Sequence, residues 1–175
     1  MWELNDHSNN IALVDDASGV VTYKELARIS ERVAHAVGRR GLVFQLCRNH
    51  IGSIVGYVGF MNAGIVPLLL SADMDERLLK TLMETYRPSY LWVPNDKVHE
   101  FADYPVVSED SGYALLRAPY SEPCELHEDL ALLLTTSGST GSPKLVRQSY
   151  QNVLSNARSI AQYLELDERE RPITT

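Results

Sequence analysis

Short apolar runs alternate with amphipathic stretches through the first half of this sequence. Leu42–Cys47, Ile65–Leu70 and Ser89–Val93 have the length and apolar character of buried strands. Helical patterns lie between these runs, near residues 51–63 and over Asp75–Tyr86. Strands that alternate with helices in this way predict an α/β fold with a mostly parallel sheet flanked by helices.

The segment Val20–Glu25 is predicted to open an earlier helix. Thr22 can cap this helix while Glu25 reaches back to it, which is the capping-box arrangement. Gly38 suits the carboxyl end. The apolar residues between them recur at helical spacing and predict one buried face: Leu26, Ile29, Val33, Ala34 and Val37.

The second half of the chain is less regular. Val106–Val107 and Tyr113–Leu116 are predicted strands around a turn at 109–112, and Pro119–Glu128 is a predicted loop. Leu130–Thr135 is a predicted buried strand, and a helix is predicted near residues 151–166.

A segment rich in serine, threonine and glycine follows the last of these strands. Loops after parallel strands are where α/β folds place ligands. Glycines permit close approach of the backbone to an anion, and successive backbone N–H groups can form an anion-binding concavity. Hydroxyl groups and a lysine add donors for a polyphosphate. The candidate residues are Thr136, Ser137, Gly138, Ser139, Thr140, Gly141 and Lys144.

Two other interpretations of this segment compete with a binding loop. The spacing differs from the Walker A motif, because two residues separate Gly138 from Gly141 and Leu145 follows Lys144. A mobile linker rich in serine and glycine stays open. A buried strand directly before the segment, and the pair Pro143-Lys144 at its end, favour a binding loop over a linker.

Charge and composition limit which partners, metals and cellular locations are expected for this chain. The net charge of −7 opposes binding to nucleic acid or to anionic lipid, so neither is expected as a partner. The five histidines are scattered, and no metal site is predicted. Cys47 and Cys124 form no disulfide framework, which favours a cytoplasmic protein. The uncharged stretch Ile51–Leu70 has the length of a membrane span, but Asn62 and Pro67 interrupt it, and we predict a buried helix followed by a strand.

The segment Thr136–Lys144 resembles the phosphate-loop signature of the acyl-adenylate-forming superfamily, which includes acyl-CoA synthetases, peptide-synthetase adenylation domains and luciferases. Val21–Leu26 is similar to an early helix start of that family, and Gly59–Leu68 resembles another of its segments. Leu164–Arg169 resembles the turn after the helix that follows the loop. By this resemblance, residues 1–175 are the first subdomain of the large N-terminal AMP-binding domain, and the rest of that domain and the small C-terminal domain are absent.

The resemblance implies an acid–thiol ligase of the acyl-CoA synthetase type. A carboxylic acid and ATP give acyl-AMP and pyrophosphate, and a CoA or carrier-protein phosphopantetheine thiol then takes the acyl group. Lys144 and Thr140 are the implied catalytic residues, within a loop that holds the β- and γ-phosphates. The ligand for Mg²⁺ is expected outside this chain, and the chain alone is expected to be inactive.

Two departures from the family pattern concern the end of the loop. Leu145 stands where glycine is usual, and Tyr150 stands where many members have histidine. Neither removes a candidate phosphate-binding group. Two alternatives remain open at this point: a non-catalytic module that binds an anion or nucleotide, and a helper subunit completed by a separate chain.

Overall fold

The structure is a computed structural model that describes residues 2, 4, 8–16, 19–120, 124–135, 144–167, 170 and 172–173. The predicted strands and helices of residues 42–94 are confirmed, with ends within one residue of those expected. A 3-10 helix covers Asn95–Phe101. The described strands and helices are β1 (Ile11–Asp15), β2 (Gly19–Thr22), α1 (Tyr23–Val37), β3 (Leu42–Cys47), α2 (Ile51–Asn62), β4 (Val66–Ser71), α3 (Glu76–Tyr86), β5 (Tyr90–Pro94), β6 (Val106–Asp110), β7 (Tyr113–Arg117), β8 (Leu130–Thr135), β9 (Leu145–Ser149) and α4 (Tyr150–Tyr163).

In the described part of the chain, seven strands form one sheet in the order β6-β7-β5-β3-β4-β8-β9. The central neighbours β5, β3, β4 and β8 are parallel. Antiparallel strands extend both sides, with β7 and β6 beside β5 and with β9 beside β8. The predicted α/β fold with a mostly parallel sheet is therefore confirmed. β1 and β2 form a separate antiparallel hairpin.

Alternate residues of a strand point to opposite faces of the sheet, and the central strands are apolar on both faces. Helices therefore cover both faces of these strands. On one face, α3 contributes Leu79 and Leu82 to a core that contains Phe44 and Leu68. On the other face, side chains of α1 and α2 pack with Trp92 and with residues of β3 and β7. The sheet is thus the middle layer of three, and its carboxyl edge stays accessible to loops.

The ends of α1 follow from its sequence. The Thr22 Oγ1 accepts a hydrogen bond from the backbone N–H of Glu25 at 3.3 Å, and the Thr22 N–H donates to the Glu25 carboxylate at 2.9 Å. These bonds form the predicted capping box, and the hydrogen bond from the Thr22 N–H holds the pKa of the Glu25 carboxyl below its ordinary value. Gly38 ends the helix in the left-handed region, at φ 78°.

Helix α2 packs closely because glycines line its buried side. A Cβ at Gly56 would lie 2.5 Å from two atoms of the Trp92 indole, and Gly52 and Gly59 face Tyr113 and Ser30 in the same way. These glycines therefore serve close packing inside the fold. Among the described helices, none combines the length and apolar character needed to cross a bilayer.

Several features differ from the sequence-based expectation. Strand β1 and the 3-10 helix have no predicted counterpart, and β6 extends to Asp110, into the predicted turn at 109–112. Val20 and Val21 belong to β2, where Val20 pairs with Val14 of β1, and do not form part of the helix start. Strand β9 has no counterpart among the predicted elements. Helix α4 ends at Tyr163, before the expected residue 166, because Glu165 adopts φ 52° and terminates the helical backbone.

Candidate functional site

The candidate segment begins where β8 ends, at the edge where the parallel strands finish. In register, Cys47 of β3 pairs with Ser71 of β4, and Leu69 of β4 pairs with Leu134 of β8. Thr135 therefore ends β8 on the same side of the sheet as the ends of β3 and β4. This is the edge at which α/β sheets bind ligands.

The strand β9 changes how the segment is supported. Thr135 pairs with Leu145, so the two ends of segment 136–143 are held side by side by the antiparallel β8–β9 pair. The amino end of α4 lies at the far end of β9, about 17 Å away at the usual rise of a strand. There the Ser149 hydroxyl accepts a hydrogen bond from the Asn152 N–H at 3.1 Å. The amino end of α4 is thus remote from the end of β8 and from Lys144.

Of the predicted site residues, Lys144 alone lies among those the structure describes. It is solvent-exposed and directly precedes β9. Thr136, Ser137, Gly138, Ser139, Thr140 and Gly141 lie outside the described residues, so their grouping around an anion stays a prediction. The structure brings the flanks of the segment together and exposes its lysine.

A second cation lies at the same edge, between β3 and β5. Arg48 Nη1 donates to the two Oδ atoms of Asp96 at 3.0 and 2.8 Å, and Arg48 Nη2 lies 3.6 Å from Asp73 Oδ1. The hydrogen bond from Arg48 holds the pKa of the Asp96 carboxyl below its ordinary value. Two carboxylates therefore balance the guanidinium.

Buried hydrogen bonds next to this ion pair fix the start of α2. The Tyr113 hydroxyl and the Ser53 hydroxyl are 2.7 Å apart, and both accept from the Arg48 N–H. Burial raises the pKa of Tyr113, so its phenol is neutral at pH 7. The Asp15 carboxylate accepts from the Ile51 N–H at 2.7 Å. The amino end of α2 is therefore already capped by a carboxylate of β1.

Arg40 ties together the opposite edge of the sheet. Its guanidinium donates to the carbonyl oxygen of Gly64 at 2.5 Å, and to those of His127 and Leu130, each at 2.8 Å. These carbonyls lie just before β4 and at the entry to β8. Arg40 thus positions the strand that carries the candidate segment. Neither Arg40 nor Arg48 was predicted from the sequence, because no local pattern distinguishes a lone arginine between two elements.

A groove of about 1010 Å³ opens between α4 and the face of the sheet near the candidate segment. Leu69 and Leu134, both near the carboxyl ends of their strands, line this groove and are only half-buried. Its other side consists of amide and hydroxyl side chains of β9 and α4, together with the apolar α4 residues Val153, Ala157 and Ile160. Among the described residues, no charged side chain lines it.

The described residues contain no cluster of three or more histidine, cysteine or acidic side chains that could hold a metal ion. Both cysteines are free thiols. Burial raises the pKa of the Cys47 thiol at the end of β3, so the thiol is protonated at neutral pH. The described side chains thus offer neither a metal centre nor an activated thiol beside the candidate segment.

A family model described as AMP-binding enzyme matches residues 2–174. The chain is 30% identical to 3-hydroxybenzoate–CoA ligase of Aromatoleum sp. (strain CIB), over 89% of this chain and 34% of the ligase. It is 26% identical to gramicidin S synthase 2 of Brevibacillus brevis, over 89% of this chain and 4% of the synthase. The chain therefore spans about a third of the ligase and a small part of the synthase.

Solved structures show the same fold. The O-succinylbenzoate coenzyme A synthetase of Bacillus subtilis, in complex with AMP, superposes with a TM-score of 0.69 at 22% identity. That match covers 94% of this chain and 45% of the synthetase. Apo MatB from Rhodopseudomonas palustris superposes with a TM-score of 0.71 at 22% identity, over 94% of this chain and 36% of MatB.

Proposed function

The chain belongs to the AMP-binding enzyme family, and from this we propose that it supplies the phosphate-binding loop of an ATP-dependent acid–thiol ligase. In the proposed reaction, a carboxylate oxygen attacks the α-phosphorus of ATP, which gives acyl-AMP and releases pyrophosphate. A thiol of CoA or of a carrier-protein phosphopantetheine then attacks the acyl carbon, and AMP leaves. The observation that carries the proposal is the position of segment 136–144, directly after β8 at the carboxyl edge of the parallel strands.

Each residue type has a defined part in this proposal. The hydroxyls of Thr136, Ser137, Ser139 and Thr140, with backbone N–H groups, donate to the β- and γ-phosphate oxygens. Gly138 and Gly141 let the backbone approach those oxygens without a side chain in the way. Lys144 supplies a positive charge that stabilises the pyrophosphate as negative charge builds on it. Positioning and charge stabilisation are the main contributions a protein makes to such transfers.

The described frame supports this assignment in two ways. Pairing of Thr135 with Leu145 holds the ends of the segment together, which lowers the entropy that phosphate binding must remove. Lys144 lies on the exposed surface at the start of β9, where its ammonium can reach a solvent-accessible anion. Any Mg²⁺ that accompanies the nucleotide is expected to be bound by groups outside this chain.

Membership of the family does not identify which carboxylic acid or which acyl acceptor is used. Relatives of this chain include a CoA ligase and a nonribosomal peptide synthetase, so the proposal keeps both CoA and a carrier protein as acceptors. A cytoplasmic location is part of the same proposal. We also propose that residues 1–175 alone bind ATP weakly and do not form acyl-AMP.

Binding of ATP to the 175-residue chain tests the role of Lys144. Hydrogen bonds to charged groups contribute about 1.5–3 kcal/mol, so Lys144→Ala should raise the Kd roughly 10- to 150-fold. The matched control is Lys80→Ala, which removes an exposed lysine on α3. Titration calorimetry measures both variants. Equal Kd values for Lys144→Ala, Lys80→Ala and the unchanged chain would contradict the proposed loop.

Exchange of labelled pyrophosphate into ATP tests the proposal that residues 1–175 alone do not form acyl-AMP. The chain alone should give no exchange above background when it is offered a panel of carboxylic acids, aromatic acids included. Carboxylate-dependent exchange by the chain would refute the proposal that it is inactive alone. It would at the same time support the proposed reaction.

A further inference from the structure

A pocket of about 380 Å³ lies between α3 and the 3-10 helix that follows β5. Leu79 and Met83 of α3 supply part of its apolar lining. The rest of the apolar lining is mainly aromatic and comes from three rings: Phe101, Tyr104 and Tyr120. The pocket shares no lining residue with the groove beside α4, and its volume lies within the range of small-molecule sites.

Packing on the core holds the three rings in place. Phe101 belongs to the core beneath α3, and Tyr104 and Tyr120 are half-buried against the same core. The Tyr104 N–H donates to the Phe101 carbonyl at 2.8 Å, and the centroids of these two rings are 5.8 Å apart. Burial raises the pKa of Tyr104 and of Tyr120, so both phenols are neutral at pH 7. The pocket therefore offers uncharged aromatic rings in fixed positions.

Carboxylates outnumber cations around these rings. The charged lining consists of four carboxylates and one ammonium: Glu76, Glu84, Glu100, Asp103 and Lys80. Lys97, outside the lining, pairs with Glu100 at 2.9 Å. Within the described part of the chain, no lysine, arginine or histidine nitrogen lies within 4.0 Å of the other three carboxylates. Arg87 acts electrostatically on Tyr120, but with Arg87 and Lys80 counted the carboxylates are still in excess.

We propose that this pocket binds a small alkylated ammonium ion of the choline type. Its methyl and methylene groups contact the rings of Tyr104, Tyr120 and Phe101, and the carboxylates of Glu84 and Asp103 balance its charge. Aromatic rings attract cations electrostatically, and pockets lined by such rings recognise quaternary ammonium groups. This site goes beyond the proposed ligase reaction, because ATP, pyrophosphate, CoA and carboxylate substrates are all anions.

The lining disfavours three other classes of ligand. An anion would meet four carboxylates and a single ammonium. A divalent metal ion requires several converging oxygen ligands, and the described residues contain no group of three or more acidic, histidine or cysteine side chains placed to hold one. A neutral apolar ligand would take carboxylates out of water without giving them a partner, which is unfavourable. An alkylated cation satisfies both the rings and the carboxylates.

A pair of ligands that differ only in charge tests the proposal with the 175-residue chain. Choline chloride is the cationic probe, and 3,3-dimethyl-1-butanol is its uncharged analogue of the same shape. Saturation-transfer NMR and titration calorimetry measure both. We expect choline to bind with a Kd of roughly 1 mM or below, at least about tenfold tighter than the alcohol. Its N-methyl proton resonance should move upfield on binding, because the methyl groups lie against aromatic rings.

Two substitutions locate the binding in this pocket. Tyr104→Leu removes a ring and should raise the Kd for choline about fivefold or more, whereas Tyr104→Phe keeps the ring and should leave the Kd within about twofold. Glu84→Gln removes a charge at nearly constant shape and should raise the Kd about threefold or more. The matched control is Glu109→Gln, an exposed carboxylate of β6 outside the lining, which should leave the Kd unchanged.

The comparison of variants also separates binding from folding. Glu84 is exposed on α3, so Glu84→Gln should melt at the same temperature as the unchanged chain, and its weaker binding then reports on the site alone. Equal affinity for choline and the uncharged alcohol, no binding of choline at roughly 10 mM, or equal Kd values for Glu84→Gln and Glu109→Gln would overturn the proposal. The ATP titration of Lys144→Ala is an independent readout, so failure of this site and failure of the loop assignment are distinguishable.

Discussion

Replacing Gly56 by alanine tests how tightly α2 packs on the sheet. A Cβ at this position would lie 2.5 Å from both Cδ1 and Nε1 of Trp92, whereas carbon atoms in contact are normally about 3.5–4.0 Å apart. The ring or the helix must therefore move by about 1 Å. Trp92 has little room to do so, because it is fully buried and stacked on Tyr113, with ring centroids 5.4 Å apart. Its Nε1 also donates to the Gly52 carbonyl at 2.8 Å.

The expected loss of stability follows from three contributions. Overpacking a core costs about 1–3 kcal/mol, and loss of the indole hydrogen bond costs about 1 kcal/mol more. Alanine is the better helix former by about 1 kcal/mol, which offsets part of this. The net destabilisation is therefore about 2 kcal/mol. For a chain of this size, that corresponds to a fall in melting temperature of roughly 4–8 °C.

Thermal and urea unfolding followed by circular dichroism measure this change. Glu31→Ala, an exposed substitution on the neighbouring helix α1, is the control and should stay within about 0.5 kcal/mol of the unchanged chain. In a Trp92→Leu background the added methyl group should cost less, because the indole atoms it meets are gone. A Gly56→Ala chain that is as stable as the unchanged one, or equal costs in both backgrounds, would refute the packing argument.

Three further predictions concern contacts around the site. Arg40→Ala should lower the free energy of unfolding by roughly 1–3 kcal/mol, because the carbonyl groups at the start of β8 lose a shared donor. Urea unfolding measures this loss, with Arg40→Lys as a partial replacement of the guanidinium. Variants that were both as stable as the unchanged chain would contradict this role of Arg40. Ser149→Ala should lower the free energy of unfolding by about 1 kcal/mol, because it removes the hydroxyl that caps α4. Ser155→Ala, on the same helix, is the control, and equal stability of the two variants would be evidence against the cap. The Asp96 carboxyl has a lowered pKa, so the stability it contributes is present above its unfolded pKa of about 3.9 and is lost as the pH falls through the folded value. Asp96→Asn should therefore destabilise the chain at pH 7, and in urea titrations the difference should shrink as the pH falls below the unfolded pKa and vanish once it lies below the folded pKa of Asp96. A difference that stayed constant throughout would contradict the ion-pair account.

The parallel core could be predicted because its strands are buried on both faces. Such strands read as continuous apolar runs, as in Leu42–Cys47, and the amphipathic helix α3 between β4 and β5 has one clear apolar face. The capping box of Thr22 and Glu25 was equally visible, because it depends only on residues three apart. Local signals of this kind need no knowledge of distant partners.

Strand β9 could not be predicted because its stability comes from its neighbour. Its sequence, Leu145–Ser149, has polar residues at three of five positions, and it forms a strand only by pairing with β8 at the edge of the sheet. Arg40 was missed for the same reason, since its acceptors lie up to 90 residues away. The glycines of α2 were visible in the sequence, but their purpose became clear only with Trp92 and Tyr113 beside them.

The candidate site, too, could be predicted only in part from the sequence. The residue types of the segment after β8 carried the phosphate-loop hypothesis, and the position of its flanks at the carboxyl edge agrees with it. The segment itself lies largely outside the described residues, so its geometry stays a prediction. The distance between this segment and the amino end of α4 could not be foreseen, because it depends on the unpredicted β9.

The order of strands in the sheet has a consequence for how the chain folds. β4 lies between β3 and β8, yet the pairing of Leu69 with Leu134 joins residues far apart in sequence, so it closes a long loop at an entropic cost. During synthesis, β3, β4 and β5 can assemble before β8 has left the ribosome. Until then, β4 is an apolar strand with an open edge, which is a template for intermolecular pairing. Aggregation of newly made chains should therefore compete with the arrival of β8, and chaperones that cover this edge should improve the yield of folded protein.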